Sequence, residues 1–176
     1  TMGTLNRNGY TFTGWQITSG GSGTFVVGTT KVTGPMTITA QWTPKSTIKA
    51  DFMMNDGTNT VFAAKTVTYD SNYSAAPHGR FPVNPTRTGY TFVRWTTAAS
   101  GGTQVTGTTK VTQHEDHKIY AQWTPVTGIV ANFDLNYGTD PNTYATRTVT
   151  FDARYDAAEA FPTDPTRTGY TFEGWY

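Results

Sequence analysis

The chain has 176 residues, 13 basic and 12 acidic side chains and a formal net charge of +1, so it carries neither a basic field for nucleic acid or anionic membrane nor an acidic one for cationic partners. Thr occurs 38 times and Leu twice, and aromatics make up 14% of residues; the apolar content therefore lies in aromatic and β-branched side chains that suit a pleated surface, which excludes a helical bundle. Cysteine is absent, which removes disulfide scaffolds, thiolate metal sites and a thiol nucleophile.

Internal repetition dominates the sequence. Gly-Tyr-Thr-Phe occurs at 9–12, 89–92 and 169–172, each time followed three residues later by a tryptophan, Trp15, Trp95 and Trp175. Ala-Gln-Trp-Thr-Pro recurs at 40–44 and 121–125, Gly-Thr-Thr-Lys-Val-Thr at 28–33 and 107–112, and Pro-Thr-Arg-Thr-Gly at 85–89 and 165–169. A constant period means an array of one supersecondary unit, and about 80 residues is enough for a small core of its own. In chain order, residues 1–44 carry the second half of a unit, 47–125 a complete unit and 128–176 a first half. The two end halves are complementary and are expected to be completed by a neighbour, either a repeat of the same protein or an identical subunit docked head to tail.

Within the complete unit, Ile48, Ala50, Phe52 and Met54 alternate with Lys49, Asp51, Met53 and Asn55, the period of a half-buried strand; Ile129, Ala131, Phe133 and Leu135 repeat the pattern. Asn55-Asp56-Gly57 supplies a turn, and residues 65–69 form the return strand of a hairpin. Period is lost over 71–85, where Pro77, Pro82 and Pro85 intervene. The matching residues 153–161 are expected to make a turn or two of helix before Pro162 stops it. Strands at 90–97, 110–112 and 118–124 complete a β-β-crossover-β-β-β order. The fold class is β-rich α+β, a mixed sheet with one short crossover packed over it.

The paired motifs Gly-Tyr-Thr-Phe-x-x-Trp and Ile-Tyr-Ala-Gln-Trp, preceded by a Phe-Asp-x-Asn-x-Gly hairpin at 133–138, resemble the Listeria-Bacteroides repeat, the B-type repeat of internalin surface proteins. The resemblance covers essentially the whole chain. It implies tandem β-grasp-like modules on secreted or surface-anchored bacterial proteins, extracellular, non-enzymatic, acting as spacer, stalk or fibre unit and in some cases as a contact surface. Arg94 departs from the glycine found at Gly14 and Gly174, and Met53 and Asp56 depart from the first hairpin's pattern.

Aromatic residues are the site candidates. Trp42 and Trp123 are in phase with Ile38 and Ala40, and with Ile119 and Ala121, so they read as core together with Tyr10, Phe12, Tyr90, Phe92, Tyr170, Phe172, Phe52 and Phe133. Simple alternation puts Trp15, Trp95 and Trp175 on the opposite face from Phe12 and its counterparts, where they are candidate ligand contacts for a carbohydrate or a host protein. A bulge at Gly14 or Gly174 returns them to the core. His114-Glu115-Asp116-His117 misses zincin spacing and replaces Gly34-Pro35-Met36 between strands, which makes it a polar hairpin tip. Asp134, Asn136 and Asp140 with Gly138 resemble part of a calcium loop, but Met53, Asn55 and Asn59 carry no carboxylate at the matching positions, so they read as turn chemistry. His78, His114 and His117 fall in loops specific to one unit, and no acid, base and nucleophile set assembles from them. No cofactor, metal or catalytic residue is expected, and neither nucleic acid nor membrane insertion: no apolar run nears the ~20 residues of a spanning helix.

Overall fold

The structure is a computed structural model describing residues 5–77, 79–138, 142–155 and 161–176; the helical turn expected over 153–161 falls mostly outside them. Every named element is a strand: β1 (Tyr10–Ser19), β2 (Thr24–Phe25), β3 (Thr37–Pro44), β4 (Ile48–Met53), β5 (Val61–Val67), β6 (Tyr90–Thr96), β7 (Gln104–Val105), β8 (His117–Pro125), β9 (Ile129–Asp134) and β10 (Thr143–Val149). They make three sheets, ordered β2-β1-β3, β5-β4-β8-β6-β7 and β10-β9. The chain divides into two compact units, Thr1–Pro85 with Arg94–Gln122, and Thr86–Val93 with Trp123–Tyr176.

The first unit holds the main core. β4 is antiparallel to β5 and parallel to β8, with Phe52 opposite Ala63 on one side and Ile119 on the other. A parallel neighbour cannot be reached by a tight turn, so the chain leaves β5 through the proline-containing segment before β6 and β7 and returns as β8. This crossover packs on the sheet through Tyr73 and Phe81, whose rings meet Phe52 edge-on at 6.4 and 5.3 Å; Trp95 closes the cluster at 5.0 Å. Ile48, Ala50, Phe52, Val111 and Ala121 are wholly buried there. Thr96, also buried, donates its hydroxyl to the Ala98 carbonyl and accepts from the Gln122 amide, both at 2.8 Å, so its polar atom is satisfied.

Three assignments differ from the sequence reading. The return strand expected at 65–69 is β5, Val61–Val67, and Tyr69 lies in the turn after it. Residues 110–112 do not form a strand; the partner of β6 is the short β7, with Trp95 opposite Val105. Val111 reaches the core from an irregular segment whose backbone is satisfied by the crossover: its carbonyl accepts from Asp70 N at 2.9 Å and its N–H donates to Ser71 O at 2.8 Å. Met53, assigned to the polar face, is 3% exposed. The register of β4 on β5 slips between Phe52 and Met53, which face Ala63 and Val61, so the extra residue is Phe62 of β5; the bulge increases the local twist of the pair where Met53 is buried.

In the β2-β1-β3 sheet of the same unit, the register of β1 on β3 jumps between Phe12 (opposite Trp42) and Gly14 (opposite Gln41). Gly14 has φ of +139°, a conformation open to glycine at little cost. The bulge brings Trp15 onto the side of Phe12, with ring centroids 5.5 Å apart, and Phe12 meets Trp42 at 5.4 Å.

In the second unit, β9 and β10 repeat the β4–β5 hairpin. Phe133 gathers Tyr155, Phe161 and Trp175 at 6.4, 5.8 and 5.0 Å, the same edge-on arrangement that surrounds Phe52. Among the described residues no strand lies along the other edge of β9, and Ile129 and Val130 are exposed. Phe52→Ala is therefore expected to destabilise its unit by ~3–5 kcal/mol. Phe133→Ala, on a half-buried ring, should cost clearly less; equal losses in parallel denaturant titrations would contradict this difference in packing.

Candidate functional site: the junctions between sequence repeats

Gly9 and Tyr10 end a four-residue turn in which the Tyr10 N–H donates to Arg7 O at 3.0 Å. Gly9 sits at its third position with φ of +79°, a conformation that position favours in glycine. The Arg7 guanidinium lies over the Tyr10 ring, 3.8 Å from its centroid. Against this turn lies a second one at residues 68–71, closed by Ser71 N donating to Thr68 O at 3.2 Å. Its third residue, Asp70, is also left-handed with φ of +67°, which aspartate tolerates better than most residues. The Tyr69 ring covers the bare Gly9 backbone so closely that a Cβ there would stand 2.5 Å from ring carbons. Tyr10 and Tyr69 meet edge-on at 5.3 Å, and the Tyr10 hydroxyl donates to Asp70 Oδ2 at 2.9 Å.

One linker residue sews the two turns together. Lys45 N donates to Gly9 O at 2.8 Å, and Lys45 O accepts from Tyr69 N at 2.9 Å. The side chains around it carry complementary charge. Lys45 Nζ meets Glu115 at 3.2 Å, and Lys110 Nζ meets Asp70 Oδ1 at 2.6 Å.

The same construction occurs 80 to 82 residues later, within the second unit. Gly89 has φ of +76° and Asp152 +62°; the Arg87 guanidinium lies 3.7 Å from the Tyr90 centroid. Phe151 takes the place of Tyr69 on the glycine and meets Tyr90 edge-on at 5.5 Å. The Tyr90 hydroxyl donates to Asp152 Oδ2 at 2.8 Å. Val126 N donates to Gly89 O at 2.9 Å, and Val126 O accepts from Phe151 N at 2.8 Å. Lysine in one linker and valine in the other do the same work because the two bonds come from backbone.

The structure places the aromatic candidates differently from the alternation pattern. Trp95, assigned as a candidate ligand contact, is 2% exposed and belongs to the Phe52 cluster, so it offers no ring face to a ligand. Trp15 and Trp175 are half-buried. Of the residues assigned to the core, only Phe52 is fully buried. Phe12, Phe92, Phe133, Phe172, Trp42 and Trp123 are half-buried, Trp123 packing on Phe92 at 5.7 Å; Tyr10 and Tyr90 are half-buried in the junctions. Tyr170 is 66% exposed and is not a core residue. Alternation assumes an unbroken register, and in β1 the shift between Phe12 and Gly14 breaks it ahead of Trp15.

The segment 114–117 keeps Glu115 and Asp116 exposed, as expected of a polar tip, and also receives bonds from its neighbours. His114 O and Glu115 receive Lys45 Nζ, Asp116 Oδ1 accepts the Lys49 N–H at 2.8 Å, and His117 Nε2 is 2.7 Å from the Tyr73 hydroxyl. Among the described residues no group of three metal-ligating side chains converges. Asp134 uses both carboxylate oxygens within its own turn, accepting from Asn136 N at 2.6 Å and Asn142 N at 3.0 Å; Asp140 lies outside the described residues.

Comparison with known proteins matches the chain to the Listeria-Bacteroides repeat domain over residues 1–41, 49–122 and 131–176. The chain belongs to this family. It is 37% identical over 95 residues to Internalin H of Listeria monocytogenes serovar 1/2a, covering 54% of this chain and 16% of that protein. It is 27% identical over 196 aligned positions to a putative Gly-rich membrane protein of Evansella cellulosilytica, covering 99% of this chain and 20% of that protein. The chain thus spans no more than a fifth of the length of these relatives. No solved structure gives a significant match. Among the described residues no helix is long and apolar enough to cross a membrane. In this Listeria-Bacteroides repeat chain, the family's Gly-Tyr signature supplies a turn face, and the missed partner is the aromatic-Asp pair. Its signal was the recurrence of Thr-Tyr-Asp at 68–70 as Thr-Phe-Asp at 150–152.

The junction has a pH window. Lys110 and then Tyr10, hydrogen-bonded to Asp70, hold its carboxyl below the ordinary 3.8. That group's contribution is present above 3.8 and is lost as pH falls through the lowered value. The Tyr10 phenol is raised above 10.0, first by its bond to Asp70, so its contribution is present below pH 10 and is lost as pH rises beyond it. Asp70→Asn is expected to remove the acid limb. NMR shifts of the Tyr10 ring followed through both limits check this, and an acid limb that persists in the variant would contradict it.

Proposed function

We propose that this chain is a structural segment of a bacterial surface protein, an extracellular spacer built from β-grasp-like modules of about 80 residues. The module boundaries that go with this reading are 1–44, 47–125 and 128–176. The sheet order β5-β4-β8-β6-β7 with its overlying crossover supports the module type. Membership of the Listeria-Bacteroides repeat family and the likeness to Internalin H and to a putative membrane protein support the surface assignment.

The observation that carries the reading is the junction, which recurs with the same turns, the same glycine-on-ring contact and the same two linker bonds. A linker bonded on both its N–H and C=O sides transmits orientation from one repeat to the next; a loose tether does not. A spacer needs that property. The burial of Trp95 favours the spacer over an adhesin that reads its ligand through a row of exposed tryptophans.

Hydrogen exchange tests the reading. The amides of Lys45, Tyr69, Val126 and Phe151 should be protected like strand amides. Gly9→Ala, which adds a Cβ in a left-handed conformation under a ring, should cost upwards of ~1–2 kcal/mol. It should release Lys45 and Tyr69 while leaving Phe52 protected. Linker amides that exchange at unprotected rates in the unmodified chain would rule out the locked spacer.

A further inference from the structure

We infer that the turn at residues 167–170 is a third docking face of the same kind, and that it takes the aromatic-Asp turn of a further Listeria-Bacteroides repeat. The inference rests on the locked-junction reading and extends it to a face that no aromatic-Asp turn covers among the described residues; Tyr137 touches only its margin, with its ring 4.8 Å from the Arg167 guanidinium and its hydroxyl donating to Thr166 O at 3.0 Å.

The turn is already built. Tyr170 N donates to Arg167 O at 3.1 Å, as Tyr10 and Tyr90 donate to Arg7 and Arg87 at 3.0 and 3.1 Å. Gly169 has φ of +78°, beside +79° and +76° at Gly9 and Gly89. The Arg167 guanidinium stands 3.8 Å from the Tyr170 ring centroid, against 3.8 and 3.7 Å in the two covered turns. A face that holds its docked geometry without a partner loses little conformational freedom when one arrives.

What differs is the cover. A Cβ on Gly9 or Gly89 would run into Tyr69 or Phe151, whereas one on Gly169 would meet nothing within 4 Å. Tyr170 is 66% exposed, while Tyr10 and Tyr90 are half-buried. The two covered copies specify the occupant. An aromatic ring, tyrosine or phenylalanine, lies on the glycine; a left-handed aspartate follows and accepts the tyrosine hydroxyl; a linker residue bonds the glycine carbonyl and the aromatic N–H. The aspartate also brings negative charge to a turn that presents Arg167. The two such turns among the described residues are already engaged by Tyr10 and Tyr90, so the occupant is the corresponding turn of an additional repeat.

Tyrosine nitration distinguishes the cases. In the 176-residue chain, Tyr170 should be nitrated fast and Tyr10 and Tyr90 slowly. In a chain that carries residues 97–176 a second time after Tyr176, Tyr170 should become as slow as Tyr10 and Tyr90. Replacing the Phe151 of the added copy with alanine should restore fast nitration of Tyr170 without altering the turn itself. Tyr170 remaining fast in the extended chain, with Tyr10 and Tyr90 slow, would overturn this inference and leave the locked junctions standing. Tyr10 and Tyr90 reacting as fast as Tyr170 in the original chain would overturn both.

Discussion

A ring can lie flat against a backbone only where no Cβ stands between them, and the contacts of Tyr69 with Gly9 and of Phe151 with Gly89 depend on that absence. The left-handed φ of the glycine is part of the same requirement, since it closes the turn that presents the bare backbone outward. The rest of each junction follows. With the ring seated, the adjacent tyrosine meets it edge-on, the tyrosine hydroxyl reaches the next aspartate, and the linker residue falls between two backbone groups that it satisfies. Neither turn relies on the linker's side chain, which is why lysine and valine alternate there.

The cores obey a related economy of shape. Phe52 and Phe133 each act as a hub for rings that follow the hairpin in sequence, Phe81 and Trp95 for one, Phe161 and Trp175 for the other, arranged edge-on. Edge-to-face contacts suit the negative face and positive edge of each ring, and they give a small module directional packing that leucine cannot supply. With two leucines in the whole chain, aromatic geometry takes over the role that aliphatic interdigitation plays in larger domains. Around Phe52 the hub is sealed by β8 lying parallel to β4; around Phe133 it is open on that side among the described residues. The same sequence pattern therefore yields a buried strand in one place and a half-exposed one in the other.

Charge enters only at specific points. The chain has almost no net charge, yet Lys45, Lys110, Asp70, Glu115 and Asp116 converge on the first junction. Exposed ion pairs contribute little stability singly, so their effect here is on register: they settle which side of the linker meets the segment 114–117. The second junction, with the uncharged Val126 in the linker, keeps the same ring-on-glycine contact and the same backbone bonds.

Much of this was legible in the sequence because it depends on local pattern. Repetition at about 80 residues shows that motifs recur; alternation from Ile48 gives β4; glycine ahead of tyrosine marks a turn; and the absence of cysteine and of charge asymmetry narrows the chemistry. The interior status of individual aromatics was not legible. Trp95 is buried against Phe52, Tyr170 is exposed, and Trp15 is turned to the side of Phe12 by the register shift ahead of Gly14; a period of two carries no record of where it is interrupted or of which neighbour covers a ring. Nor did the sequence reveal that Tyr69 and Phe151 belong with Gly9 and Gly89, residues 60 and 62 positions away. Local propensity determined the turns and strands by themselves; which turn meets which was decided by the tertiary structure, because the pairing of Tyr10 with Pro44 and of Ile48 with Val67 sets the two surfaces at either end of one short linker, within reach of one another.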